Sequence, residues 1–136
     1  MKKWILAVFL VCNSLHLNAI SDNFTNGLAL LDQKKYEEAV DAFTLALKDE
    51  PAEAFFWERR GYALFCLKKH YEAINSYTMA IILSPHIAVL YCQRALAYFE
   101  TGNNNAMIND LTTAARLGET NAQQFLNKNS IPWRKE

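Results

Sequence analysis

Glycine and proline are scarce in this chain: 4 and 3 among 136 residues. That argues against a loop-rich or low-complexity protein, which needs such residues in number. Charge of one sign is also lacking, since 14 basic residues face 14 acidic ones. No basic stripe exists to bind nucleic acid, and no charge run exists to steer the chain to a membrane surface. Long hydrophobic runs are missing too. The longest unbroken apolar stretch near the start, Trp4 to Cys12, has nine residues. A spanning helix needs roughly 18–20. Histidine and cysteine, three of each, show no HxxxH or clustered metal-ligand spacing. There is no Gly-rich phosphate loop, and no Ser, His or Asp sits in a catalytic signature context. No cofactor and no metal is expected, and nothing positive supports an enzyme.

What the chain does contain is a period. Gly27 and Gly61, Ala39 and Ala73, Ala46 and Ala80, and Pro51 and Pro85 are each 34 residues apart. Ala95, Met107, Ala114 and Glu119 continue the same steps. A fixed period of this size marks a stacked repeat architecture. Each copy opens with a helical pattern. Trp57, Gly61 and Leu64 share one face, as do Tyr91, Ala95 and Tyr98. A second helical pattern follows: Tyr36, Ala39, Phe43, Ala46 and Leu47, then Ala73, Tyr77, Ala80 and Ile81. Polar turns separate them at Gln33-Lys34-Lys35, Lys68-Lys69-His70 and Thr101-Gly102-Asn103. Pro51 and Pro85 are expected to stop the second helix of a copy and start the next first helix.

On these residues the chain resembles the tetratricopeptide repeat (TPR) proteins. The copy at 54–87 matches at Trp57, Gly61, Leu64, Ala73, Tyr77, Ala80 and Pro85. The copy at 20–53 keeps Gly27, Leu30, Tyr36, Ala39, Phe43, Ala46 and Pro51, but has Asn23 and Asn26 where the family has large apolar residues. The copy at 88–121 keeps Tyr91, Ala95, Tyr98, Gly102, Leu111 and Ala114. It departs at Met107 and Glu119, where a small residue and a proline are usual. The resemblance implies an all-α right-handed solenoid of three helix–turn–helix repeats over residues 20–128. It is specific for fold and nearly silent on function. An arginine and an aspartate at the places of Arg94 and Asp110 go together in such repeats, and are expected to form a structural ion pair.

The ends are expected to differ from the repeats. Gly118 should close the last repeat helix in a left-handed conformation. Thr120 should then cap a final helix at about 120–127, with Phe125 and Leu126 covering the end of the stack. Residues 129–136 read as a flexible tail, with Trp133 tucking back as the alternative. At the other end, Lys2 and Lys3, the short apolar run and Ala19 describe a secretory signal peptide, residues 1–19, cleaved after Ala19 or after Ser21. Periplasmic or secreted localisation follows, without a membrane span after cleavage. The alternative is an anchor through the uncleaved segment. Cleavage at Ala19 would remove Lys2 and Lys3 alone among the charged residues, leaving a slightly acidic chain with Cys66 and Cys92. In helices stacked parallel those two cysteines would be offset by about 12 Å along the axis. That exceeds disulfide reach, so free thiols are expected.

The functional residues are sought on a second stripe of the first helices. Phe24, Leu28 and Leu31 form it in the first copy, and Phe55, Tyr62 and Phe65 in the second. Val89, Cys92, Leu96 and Phe99 form it in the third. Polar points accompany them at Asp32, Glu58, Arg59, Gln93 and Glu100. The resemblance places this stripe in the concave groove where family members hold partners. Packing of first helix against first helix is the competing explanation. The related clamp-type modules grip a peptide carboxylate with Lys and Asn. Here Phe24, Leu28, Glu58, Tyr62, Cys92 and Leu96 stand at the corresponding faces, so an apolar helix or strand is the expected guest. Three function classes remain. The first is a non-enzymatic adaptor or assembly factor of the cell envelope. The second is a self-associating subunit whose groove holds another protomer or its own tail. The last is an enzyme, which no converging acid–base pair supports.

Overall fold

The computed structural model describes residues 22–134, and the signal segment expected at 1–19 lies outside them. Seven helices follow one another. α1 covers residues 22–32, α2 Tyr36–Asp49, α3 Ala54–Cys66 and α4 His70–Leu83. α5 covers Ala88–Glu100, α6 Asn104–Arg116 and α7 Thr120–Lys128. No strand occurs among the described residues. Each helix from α2 to α7 packs on the next, and α3 also touches α5 across the repeat boundary. The fold is an all-α solenoid.

Local chemistry explains the elements. α2 carries Glu37 and Glu38 in its first turn and Lys48 in its last, matching the helix dipole at both ends. Its buried residues, Ala39, Ala42, Phe43, Ala46 and Leu47, recur every three or four positions along one face. α1, α3, α5 and α6 all stop in the same way. The residues at Lys34, Lys68, Gly102 and Gly118 take positive φ. Around Gly118, its own N–H bonds Ala115 O at 3.1 Å and the Glu119 N–H bonds Ala114 O at 2.9 Å. This is the Schellman arrangement, which satisfies the last carbonyls of the helix. Lys34 and Lys68 make the same two bonds one period apart, although lysine carries a left-handed penalty that glycine lacks.

Tight approach fixes the pairing within a repeat. A Cβ on Gly27 would lie 2.6 Å from the Phe43 ring, and one on Gly61 2.8 Å from the Tyr77 ring. The missing side chain lets a buried aromatic of the second helix lie on the backbone of the first. Small clusters then join neighbours: Leu64, Ala73, Tyr77 and Ala97 in the middle, and Ala114, Ala115, Ala122 and Leu126 at the end.

Several expectations need correction. Pro51 and Pro85 lie in the turns between helices and start none, since α3 and α5 begin at Ala54 and Ala88. Their carbonyls instead accept bonds from Trp57 Nε1 and Tyr91 Oη, each at 2.8 Å, which tie the following helix to the turn. His70 is the first residue of α4 rather than part of the turn. The cap of α7 is Glu119, whose carboxylate accepts from the Asn121 N–H, and not Thr120. Leu126 is buried at the end of the stack, whereas Phe125 is exposed. The described part of the tail lies on the stack. Ile131 and Trp133 pack against the last cluster, and Arg116 Nε donates to Trp133 O at 2.8 Å.

Candidate functional site

The stripe read on the first helices divides. Its first-copy members are used in packing: Phe24, Leu28 and Leu31 lie half-buried against Ala39, Phe43 and Ala63. Phe24 also stacks on Phe56 with centroids 4.3 Å apart and meets Phe55 at 5.4 Å. Phe65 packs against the middle cluster and meets the His70 ring edge-on at 5.0 Å. Here helix–helix packing explains the residues. For the remaining members in the second and third copies it does not. Phe55, Tyr62, Val89, Leu96 and Phe99 are exposed by 41 to 56%. Cys92 is half-buried beside them.

Two cavities lie along this face, one on each flank of α5. The larger, of about 410 Å³, is lined by Cys92, Leu96 and Phe99 of α5, Met107 and Leu111 of α6, and Phe125 of α7. Its lining is almost wholly carbon. Burial foremost, then the carboxylates of Glu119 and Asp110, push the Cys92 thiol up to about 11, so it stays protonated at neutral pH. The smaller cavity, of about 240 Å³, lies between α3 and α5 and is lined in part by Phe55, Glu58, Arg59, Val89 and Gln93. Glu58 is buried there and accepts a hydrogen bond from Gln93 Nε2. Arg59 Nε is 2.9 Å from Glu58 Oε2, close enough for an ion pair but out of line for a hydrogen bond. The Arg59 guanidinium lies over the Phe55 ring, 4.6 Å from its centroid. The Cys66 side chain, one turn on along α3, is the main cause that raises the Tyr62 phenol. Asp32 and Glu100 are solvated. Cys66 and Cys92 are both free.

The arginine–aspartate pair does more than the sequence indicates. Arg94 donates to both oxygens of Asp110, at 2.8 and 2.7 Å, and also to Thr78 Oγ1 at 3.0 Å. One side chain of α5 therefore joins α6 to α4 of the preceding repeat. One period earlier Arg60 of α3 does the same with neutral partners, Ser76 of α4 at 2.8 Å and Thr44 of α2 at 3.0 Å. Both constellations are structural.

Sequence reasoning also missed apolar groups on the second helices. Tyr71 and Ile82 of α4 are 73% and 65% exposed, and Leu45 of α2 is 47% exposed. The available signal was that α4 is apolar nearly all round, as in His70-Tyr71-Glu72-Ala73-Ile74 and Met79-Ala80-Ile81-Ile82-Leu83. The described residues contain no cluster of three or more His, Cys, Asp or Glu placed to hold a metal ion. They contain no helix long and apolar enough to cross a membrane.

Comparison with known proteins agrees with this geometry. No curated protein matches the sequence significantly. The first TPR of Spaghetti (RPAP3), bound to the HSP90 peptide SRMEEVD, superposes with a TM-score of 0.75 at 25% identity, over 83% of this chain and 91% of that one. MamA AMB-1 gives 0.70 at 25% identity over 74% of this chain, but this covers only 55% of MamA. The Sgt2 TPR domain from Aspergillus fumigatus gives 0.69 at 18% identity over 86% and 87% of the two chains, and shares the fold. Residues 88–121, the limits of the third copy, match the tetratricopeptide repeat family, and the seven helices stack as a TPR solenoid.

Proposed function

We propose that the protein is a non-enzymatic binding module that holds an apolar segment of a partner protein along α3, α5 and α7. The observation that carries this is the coincidence of exposed Leu96, Phe99 and Phe125 with a carbon-lined cavity of about 410 Å³. Contiguous exposed apolar surface on a soluble domain marks an interaction site. A structural neighbour holding the HSP90 peptide SRMEEVD supports peptide binding by this architecture. Phe55, Glu58, Arg59, Val89 and Cys92 complete the contact surface. Phe24, Leu28, Leu31 and Phe65 support it from beneath. Export by residues 1–19 would make the module an adaptor or assembly factor of the cell envelope, and the same segment left uncleaved would anchor it there.

A second protomer is the alternative occupant. The chain's own tail is not, because Trp133 lines neither cavity and bonds Asn127 through its indole N–H at 2.9 Å.

The test is crosslinking and pull-down from native envelope extract with residues 20–136. Among the described residues every core cluster lies within 22–134, and residues 20–136 contain all of them. The comparison is a Leu96→Glu, Phe99→Glu double variant, first shown by circular dichroism to stay helical. Both residues are about half exposed, so charge there spares the core. Loss of a captured partner in the variant is the expected result. Equal capture would move the interface to the Tyr71 and Ile82 face. Capture of the chain alone would favour self-association.

A further inference from the structure

The groove is not uniformly apolar, and its polar point has open valences. Glu58 Oε2 and Gln93 Oε1 are both buried and neither has a hydrogen-bond partner, while the Glu58 side chain is only 8% exposed. Both atoms are acceptors, and Glu58 and Gln93 line the cavity between α3 and α5. Buried acceptors are ordinarily satisfied, so an unsatisfied pair in a cleft calls for a donor from outside.

Arg59 does not fill that role. It is the sequence neighbour of Glu58, and adjacent residues on a helix do not face each other. It reaches Oε2 sideways from its place over Phe55, without the alignment of a hydrogen bond. A partly exposed ion pair of this kind is weak and easily exchanged. Charge around the groove favours a cation as the donor. The charged residues lining that cavity are Glu58 and Arg59, and the carboxylates of Glu119 and Asp110 act on Cys92 in the neighbouring one. A guest carboxylate would meet like charge.

We infer that the guest segment presents a lysine or arginine beside a bulky apolar residue. The cation donates to Glu58 Oε2 and Gln93 Oε1, and the apolar side chain enters the cavity between α5, α6 and α7. Gln93, Leu96 and Phe99 all lie on α5, so one segment crossing that helix meets both cavities. This deepens the groove-binding reading and rests on it. It also sets the chemistry apart from that of the acidic SRMEEVD peptide on the structural neighbour.

The experiment uses three labelled peptides with blocked ends, alternating leucine with lysine, glutamine or glutamate. Their affinities for residues 20–136 are read by fluorescence anisotropy at fixed salt. The proteins are wild type, Glu58→Gln and Leu96→Glu, each checked for helicity. The Leu–Lys peptide should bind wild type about tenfold tighter than the Leu–Gln peptide, and the Leu–Glu peptide weakest, as for one charge-assisted bond. Glu58→Gln should remove most of that preference, and Leu96→Glu should weaken all three peptides. If the peptides bind alike and Leu96→Glu weakens each, the groove reading stands and the cation inference fails. A preference for lysine that survives Glu58→Gln overturns the inference as well. Failure of every peptide to bind would overturn both.

Discussion

Gly61 and Tyr77 show how single residues set this fold. Tyr77 is almost wholly buried, and the approach of its ring leaves no room for a Cβ on Gly61. The third copy has Ala95 at the glycine position and the smaller Leu111 at the ring position, so the added methyl there goes with a smaller neighbour. Gly61→Ala should therefore destabilise the protein by about 1–3 kcal/mol through overpacking. It should cost less when combined with Tyr77→Leu than the two single changes predict together. Urea unfolding of the two single variants and the double measures this. Strict additivity would show that the ring and the backbone do not compete for the same space.

At the scale of elements, the arginine constellations hold consecutive helices in register. Arg94 is half-buried and Asp110 is buried, so removing the arginine strands a carboxylate in the interior. Arg94→Ala should cost about 3–5 kcal/mol. Arg60→Ala strands only the hydroxyls of Ser76 and Thr44, and should cost about 1–3 kcal/mol. Adding Asp110→Ala to Arg94→Ala should restore part of the loss, because the unpaired charge goes with it. Chemical denaturation of the three variants decides the order. Equal costs for the two arginines would mean that the Asp110 charge is already met by water.

Across the whole molecule, contacts run mainly between successive helices, so disturbance at one end should stay there. Trp133 is half-buried on the last cluster and is held by bonds to Arg116 and Asn127. Trp133→Ala should lower stability by about 1–3 kcal/mol, below the range for a fully buried tryptophan. Amide exchange should quicken in α6 and α7 and stay unchanged in α2 and α3. Uniform loss of protection would show that the solenoid unfolds as one block. The same nearest-neighbour logic explains the uneven groove. α1 has no preceding repeat among the described residues, and Phe24, Leu28 and Leu31 are drawn into packing on α2 and α3.

The sequence alone determined the number and order of helices, because the 34-residue period and the helical spacing of Ala39, Phe43 and Ala46 are local facts. Chain chemistry also announced Gly118 as a helix stop, since its need for positive φ is intrinsic. It could not decide which apolar residues of the first helices stay open. Phe65 and Phe99, one period apart, look alike in sequence. Yet Phe65 packs onto the middle cluster while Phe99 stands half exposed at a cavity rim. Tertiary structure separates them, because burial depends on what the next repeat brings against the same face. It likewise turned the prolines from helix starts into carbonyl acceptors for Trp57 and Tyr91. And it placed Gln93 against Glu58, 35 residues away, a pairing that exists only once α3 and α5 stack.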